Sequence, residues 1–198
     1  MAKIVDKEQK RRDIALSCKN LFLTQGIKDV TISQMAQSAS VGKGTIYEYF
    51  QNKEEVVFEI VNILMQKHAK KLAQELQTLS STKEKIKKFS EFFYSAQDIE
   101  LRTFYKNFIS LTLISENREM REFQTQSMQE YYRWFVEILQ DGIDAGELQK
   151  EIMGLSLGLF VTGKGLFMIC ETTDSISDLQ EELNTFIDNI FALMEVKK

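Results

Sequence analysis

Not one of the 198 residues is a proline. Proline both removes a backbone donor and clashes with the preceding helical turn, so without it helices run as far as their side-chain pattern allows. Punctuation falls to nine glycines. Between them apolar side chains recur at three and four residues, the period of helices with one face on a core. The expected fold is all-α.

From about Lys7 to Gln25, Ile14, Ala15, Cys18, Leu21 and Phe22 form one stripe, and Gly26 is placed to end it. Thr31 with Gln34 makes a capping box ahead of Met35, Ala36 and Ala39, giving a helix of about two turns. Ser40, Val41 and Gly42 form a tight connection to a second short helix, about Lys43 to Tyr49. Asn52 and Glu55 then open a long helix from Lys53 to about Leu79, striped by Val57, Val61, Leu64, Leu72 and Leu76. Two short helices joined by a short turn and flanked by longer ones are the pattern of a helix-turn-helix.

The start of that second helix, VGKGTIYEYF, carries Gly42 and Gly44 where glycine weakens a helix. A recognition helix explains them. Glycines there remove side chains that would hold the backbone off a phosphate, and the exposed amides favour an anion. Lys43 adds a charge, Thr45 a hydroxyl, and Tyr47 and Tyr49 phenolic groups at helical spacing, each suited to phosphate or base contact. Ile46 and Phe50 continue the apolar face and read as core.

Charge agrees. Residues 1–53 hold nine Lys and Arg against five Asp and Glu, leaving sixteen against twenty-four in the remainder. A basic head on an acidic body is expected when only the head meets a polyanion, although a solvated basic face on the first helix has the same composition.

Hydrophobic residues at 43% and charged residues at 27% describe a soluble globular chain. Cys18 and Cys170 fit no disulfide framework or zinc spacing, and MAKIVDKEQKRRDI has no apolar run behind its charges, so a cytoplasmic protein is expected. Ile152 to Cys170 is apolar enough to suggest a membrane span, but Lys164 inside it costs about 2.5 to 3.5 kcal/mol on insertion scales, and a buried helix explains the pattern at no cost. No membrane partner is expected.

The stretch from Ile14 to Glu55 resembles the N-terminal domain of the tetracycline-repressor-like (TetR) transcriptional regulators, through LF…GI…TI, the MA of the second helix, VGKGTIYEYF and NKEE. GIDAGEL, Gly142 to Leu148, resembles the turn before the family's dimerisation helices. The resemblance implies a DNA-binding domain over residues 1–52 and a ligand-binding and dimerisation domain over residues 53–198. It implies that Thr31, Ser33 and Gln34 approach the DNA backbone, that Lys43, Gly44 and Thr45 enter the major groove, and that Tyr47, Tyr49 and Lys53 clamp phosphates. Two positions depart from the family pattern: Ser40 stands in place of a turn glycine and Gly42 in place of a serine cap.

The body reads as further helices: one capped by Ser81 and Glu84 and running to about Gln97, one opened by Asp98 and carrying Leu101, Phe104, Tyr105, Phe108 and Leu111, and one from about Asn117 to Asp141. Their stripes are rich in rings. The rings fit a core, and the resemblance implies a ligand cavity among them, lined by Phe93, Phe104, Phe108, Phe123, Tyr131, Phe135 and Phe167, with His68, Tyr105 and Lys164 as polar anchors. His68, the only histidine, equally fits a core position, and with no second histidine a metal site is not expected. Residues 152–170 are apolar nearly all round, and Leu179, Leu183, Phe186 and Ile190 repeat at four and three. The resemblance implies that these two helices pair with a second subunit, Gly154 and Gly158 permitting close approach.

No paired carboxylates, catalytic triad or phosphate loop is recognisable, so neither an enzyme nor a cofactor is expected. The expected protein is a homodimeric repressor, released from a double-stranded DNA operator by a small hydrophobic or amphipathic effector. The alternative is a helical small-molecule-binding or adaptor protein without DNA activity.

Overall fold

Asp6 starts the first helix by accepting hydrogen bonds from the amides of Glu8 and Gln9, at 3.1 and 3.2 Å. The computed structural model describes residues 6–114 and 116–196. Residues 1–5, the beginning of the segment assessed as a leader, lie outside the described residues. Among these there are nine α-helices and no strand, with one isolated antiparallel bridge, Leu148 to Glu195.

Helix α1 spans Lys7–Asp29, and its backbone leaves the helical region at Gly26 (φ 76°), the expected stop, before a last turn to Asp29. Helix α2, Ile32–Ser38, has the Thr31–Gln34 capping box in both directions. It ends in a Schellman turn: Ser40 N–H bonds Gln37 O and Val41 N–H bonds Ala36 O, at 3.1 and 2.9 Å. Helix α3, Lys43–Tyr49, is capped by backbone alone at Gly42.

Helix α4, Lys53–Leu76, ends one turn before the expected Leu79. Asn52 Oδ1 accepts from Glu55 N at 2.9 Å, whereas the Glu55 carboxylate reaches back to Gln51 N. Helix α5, Thr82–Ser90, carries the expected Ser81–Glu84 box but stops well short of Gln97, giving way to 3-10 turns over Glu91–Phe93 and Ala96–Asp98. The Phe93 ring rests on α8 where only a glycine fits: a Cβ on Gly163 would lie 2.7 Å from it. Helices α6 (Ile99–Ile114) and α7 (Arg118–Asp144) follow, the latter capped by Asn117 Oδ1 on Met120 N at 3.0 Å.

A 3-10 turn, Lys150–Leu155, precedes α8, Ser156–Thr172, and α9 spans Leu179–Met194. The segment Lys150–Thr172 is long and apolar enough to cross a membrane by composition. Its α-helical part, however, has 17 residues, about 26 Å of helix against a hydrocarbon core of about 30 Å, and Phe160 and Phe167 are buried within the chain.

The chain packs as two units, Met1–Ala69 with Glu100–Met120, and Lys70–Ile99 with Arg121–Lys198. The first buries Ile14, Cys18, Phe22, Met35, Ile46, Phe50 and Ile60, together with Phe104 and Phe108 of α6. Lys19 of α1 pairs with Glu100 at 2.5 Å, and Phe58 lies 6.1 Å from Phe108. In the second, Leu72, Leu76, Ile86, Phe135, Leu139, Ile152, Phe160, Ile187 and Phe191 share one core. The GIDAGEL turn ties this unit together: Glu147 Oε2 accepts from Thr82 N at the start of α5 (2.8 Å), and Gln149 N bonds Met194 O at the end of α9 (2.8 Å).

Candidate nucleic-acid interface

Helix α3 has only seven residues, so its own hydrogen bonds do not hold it and its placement comes from packing. Ile46 points inward, fully buried, and Phe50 follows it into the core. Burying those two turns the remainder of the helix outward. Gly42, Lys43, Gly44 and Tyr47 are exposed, Tyr47 at 60%, while Thr45 and Tyr49 are half-buried.

One residue absent from the sequence-based candidates fixes the C-terminal end. The Arg11 guanidinium on α1 donates to Tyr49 O, pairs through Nε with Glu59 at 3.1 Å, and lies 4.2 Å over the Phe50 ring. Arg11 counted only as part of a basic head; its partners are 38 and 48 residues away, and no local pattern signals them.

The glycines at the head of α3 answer to nothing inside the chain. A Cβ on either Gly42 or Gly44 would meet no atom within 4 Å, and neither residue has a positive φ. Alanine at Gly44 would favour the helix by about 1 kcal/mol, so the chain forgoes stability there without an internal reason. A surface approaching from outside supplies one.

The helix α2 candidates divide. Ser33 is exposed, but Thr31 and Gln34 are occupied with each other, Gln34 Oε1 accepting from Thr31 N at 2.9 Å while Gln34 Nε2 donates to Gln25 at 2.9 Å. Lys53 Nζ donates to Lys28 O at 2.6 Å, closing the last turn of α1, so it has a structural duty besides any phosphate. Ser40, where the family pattern has glycine, adopts φ 52°, the left-handed conformation glycine would accept freely.

The proposed ligand-lining residues fall into separate groups. Phe104, Tyr105 and Phe108 are buried in the first unit, with His68 half-buried on α4. Phe93, Phe123, Tyr131, Phe135, Lys164 and Phe167 belong to the second. There Phe93 and Phe167 lie 5.6 Å apart, and Tyr131 and Phe135 pack edge-on against Phe89 at 5.9 and 5.7 Å. Phe89, Trp134 and Phe160, not among the sequence-based candidates, complete this cluster. Among the described residues no His, Cys, Asp and Glu grouping could hold a metal.

Of the proposed dimerisation residues, Gly154 and Gly158 are exposed and Phe186 and Ile190 half-buried. Leu179 and Leu183 are buried within the chain, because they lie on the face of α9 that also buries Ile187 and Phe191, and they have little surface left to offer.

Residues 18–60, spanning most of this head, match the family model described as bacterial regulatory proteins, tetR family. The fatty acid metabolism regulator protein of Bacillus subtilis (strain 168) is 25% identical over 148 residues, 73% of either chain. The HTH-type transcriptional repressor KstR2 of Mycolicibacterium smegmatis is 26% identical over 147 residues, covering 72% of this chain and 69% of that one. A TetR-family transcriptional regulator from Cytophaga hutchinsonii superposes with a TM-score of 0.78 at 18% identity, covering 99% of this chain and 100% of the other.

Proposed function

The chain belongs to the TetR family of DNA-binding transcriptional regulators, and on that premise we propose that it is a cytoplasmic, homodimeric repressor released from a palindromic operator by a small amphipathic effector. The head, residues 1–52, reads DNA; the body, residues 53–198, takes the effector and the second subunit. The observation that carries this reading is the outward face of α3, where Lys43 and Tyr47 stand exposed beside glycines that nothing in the chain requires.

Pairing is supported by the outer face of α8. Leu157, Gly158, Val161, Gly165 and Ile169 are all exposed at helical spacing, Leu157 at 51% and Ile169 at 45%, and Gly154 in the preceding 3-10 turn is exposed as well. Leu193 of α9 is exposed at 69%. Such a continuous apolar surface is covered at less cost than it is hydrated. A dimer would present two α3 helices to successive major grooves, about 34 Å apart. The name of one relative points to fatty acid metabolism, which suits an effector with an apolar chain. Such an effector changes DNA affinity only by binding one arrangement of the dimer better than the other. In this reading helix α4, Lys53–Leu76, is the element through which that preference is expressed.

Selection of bound fragments from genomic DNA supplies the operator, and gel shifts at two salt concentrations test the contact. Lys43→Ala is expected to weaken binding and to flatten the salt dependence by about one unit per subunit. An unchanged slope removes Lys43 from the contacts; failure to enrich any fragment removes the reading.

A further inference from the structure

Lys164 stands midway along α8, and its Nζ lies 5.3 Å over the Phe160 ring. Lys71, Lys83, Lys87 and Lys88 of the same unit each have a carboxylate within 3.8 Å. Lys164, like Lys70, Lys85 and Lys150, has none within ion-pairing distance among the described residues, and of these four it alone lies over an aromatic ring. Burial alone holds its amine below the ordinary lysine range.

The turns of α8 on either side of it carry rings. Phe160, one turn earlier, packs on Tyr132 and Phe135 at 5.3 and 5.5 Å. Phe167, one turn later, meets Phe93, whose ring is seated on Gly163. A partly desolvated ammonium without a counter-ion is costly, and an incoming anion relieves that cost. A cation is repelled despite the rings, and a neutral apolar molecule leaves the charge uncompensated.

We propose that the effector is an amphipath with an anionic head, which pairs with Lys164 Nζ while its apolar tail inserts among the Phe160, Phe93 and Phe167 rings, which pack closed in this structure and part to admit it. This rests on the effector-released reading above. Carboxylates and phosphate monoesters share the required chemistry, and separate probes distinguish them.

The test titrates the full-length protein with decanoate, decyl phosphate, methyl decanoate and decyltrimethylammonium, all below micelle-forming concentrations, by calorimetry and by release of operator DNA. At least one of the two anions is expected to bind about tenfold more tightly than the ester and the cation. Lys164→Met is expected to remove that advantage while leaving ester binding unchanged, and Lys164→Arg to retain it. The methionine variant suits an apolar helix face, and the arginine variant controls for any general loss of packing. If Lys164→Met binds the anions as the wild type does, the inference is overturned. It is equally overturned if that variant changes only the monomer–dimer equilibrium, which would assign Lys164 to a carboxylate of a second copy. Release of DNA by the ester or cation, indifferent to Lys164, would leave effector release standing and sink the anionic head. No release by any of the four would sink both.

Discussion

Gly142 of α7 and Thr82 at the start of α5 compete for one volume: a Cβ on Gly142 would lie 2.9 Å from Thr82 Cγ2 and closer still to Oγ1. Thr82 is buried, with its amide held by Glu147, so the contact cannot open without moving a helix start. Gly142→Ala is expected to destabilise by about 1–3 kcal/mol in denaturant titration, the usual cost of overpacking. Adding Thr82→Ala should recover part of the loss, and strictly additive effects would show that the two do not share the space.

Ser40 holds φ 52° in the Schellman turn between α2 and α3. A non-glycine residue there costs roughly 1–2 kcal/mol, and glycine relieves it. Ser40→Gly is expected to raise the unfolding free energy by about 1 kcal/mol in denaturant titration, net of the entropy glycine adds to the unfolded chain. No gain would mean that the serine hydroxyl is compensated locally.

Arg11 joins three elements through Tyr49 O, Glu59 and the Phe50 ring. Its side chain is partly exposed, so Arg11→Ala is expected to cost about 1–3 kcal/mol rather than the 3–5 of a fully buried pair. Arg11→Lys should not rescue it, because an ammonium lacks the planar fork that reaches both acceptors while stacking on the ring. DNA affinity should fall with stability, since α3 loses the anchor at its C-terminal end; a lysine variant as stable as the wild type would contradict this.

Burial pushes the Cys18 thiol from its ordinary 9.0 up to about 11. The unfolded chain therefore gives up its proton first as pH rises, so the stabilisation is fully present below about pH 9 and is lost between about 9 and 11. Stability measured across that window should fall by about 1–3 kcal/mol more in the wild type than in Cys18→Ala. In the native protein Cys18 should also resist alkylation at pH 8.

The parts of this fold that the sequence determined are those written within a turn or two. The capping boxes at Thr31–Gln34 and Ser81–Glu84 each involve residues three apart, and both formed. Gly26 and the Ile46–Phe50 pair acted as their local patterns implied. The head was legible because its signals lie within about forty consecutive residues, and residues 18–60 of this chain match the family model.

Tertiary structure decided whatever depends on residues distant in sequence. The Arg11 anchor bridges 48 residues to Glu59, and Lys53 turns back 25 residues to close α1. Helix α5 gave way after Ser90, and Phe93 came to rest on Gly163, a partner on another helix that periodicity cannot reveal. Periodicity placed Leu179 and Leu183 on an apolar face without saying which neighbour would cover it, and packing within the chain claimed them. A helical stripe encodes that a face will be buried; only the assembled core selects its partner, because apolar burial rewards area without direction.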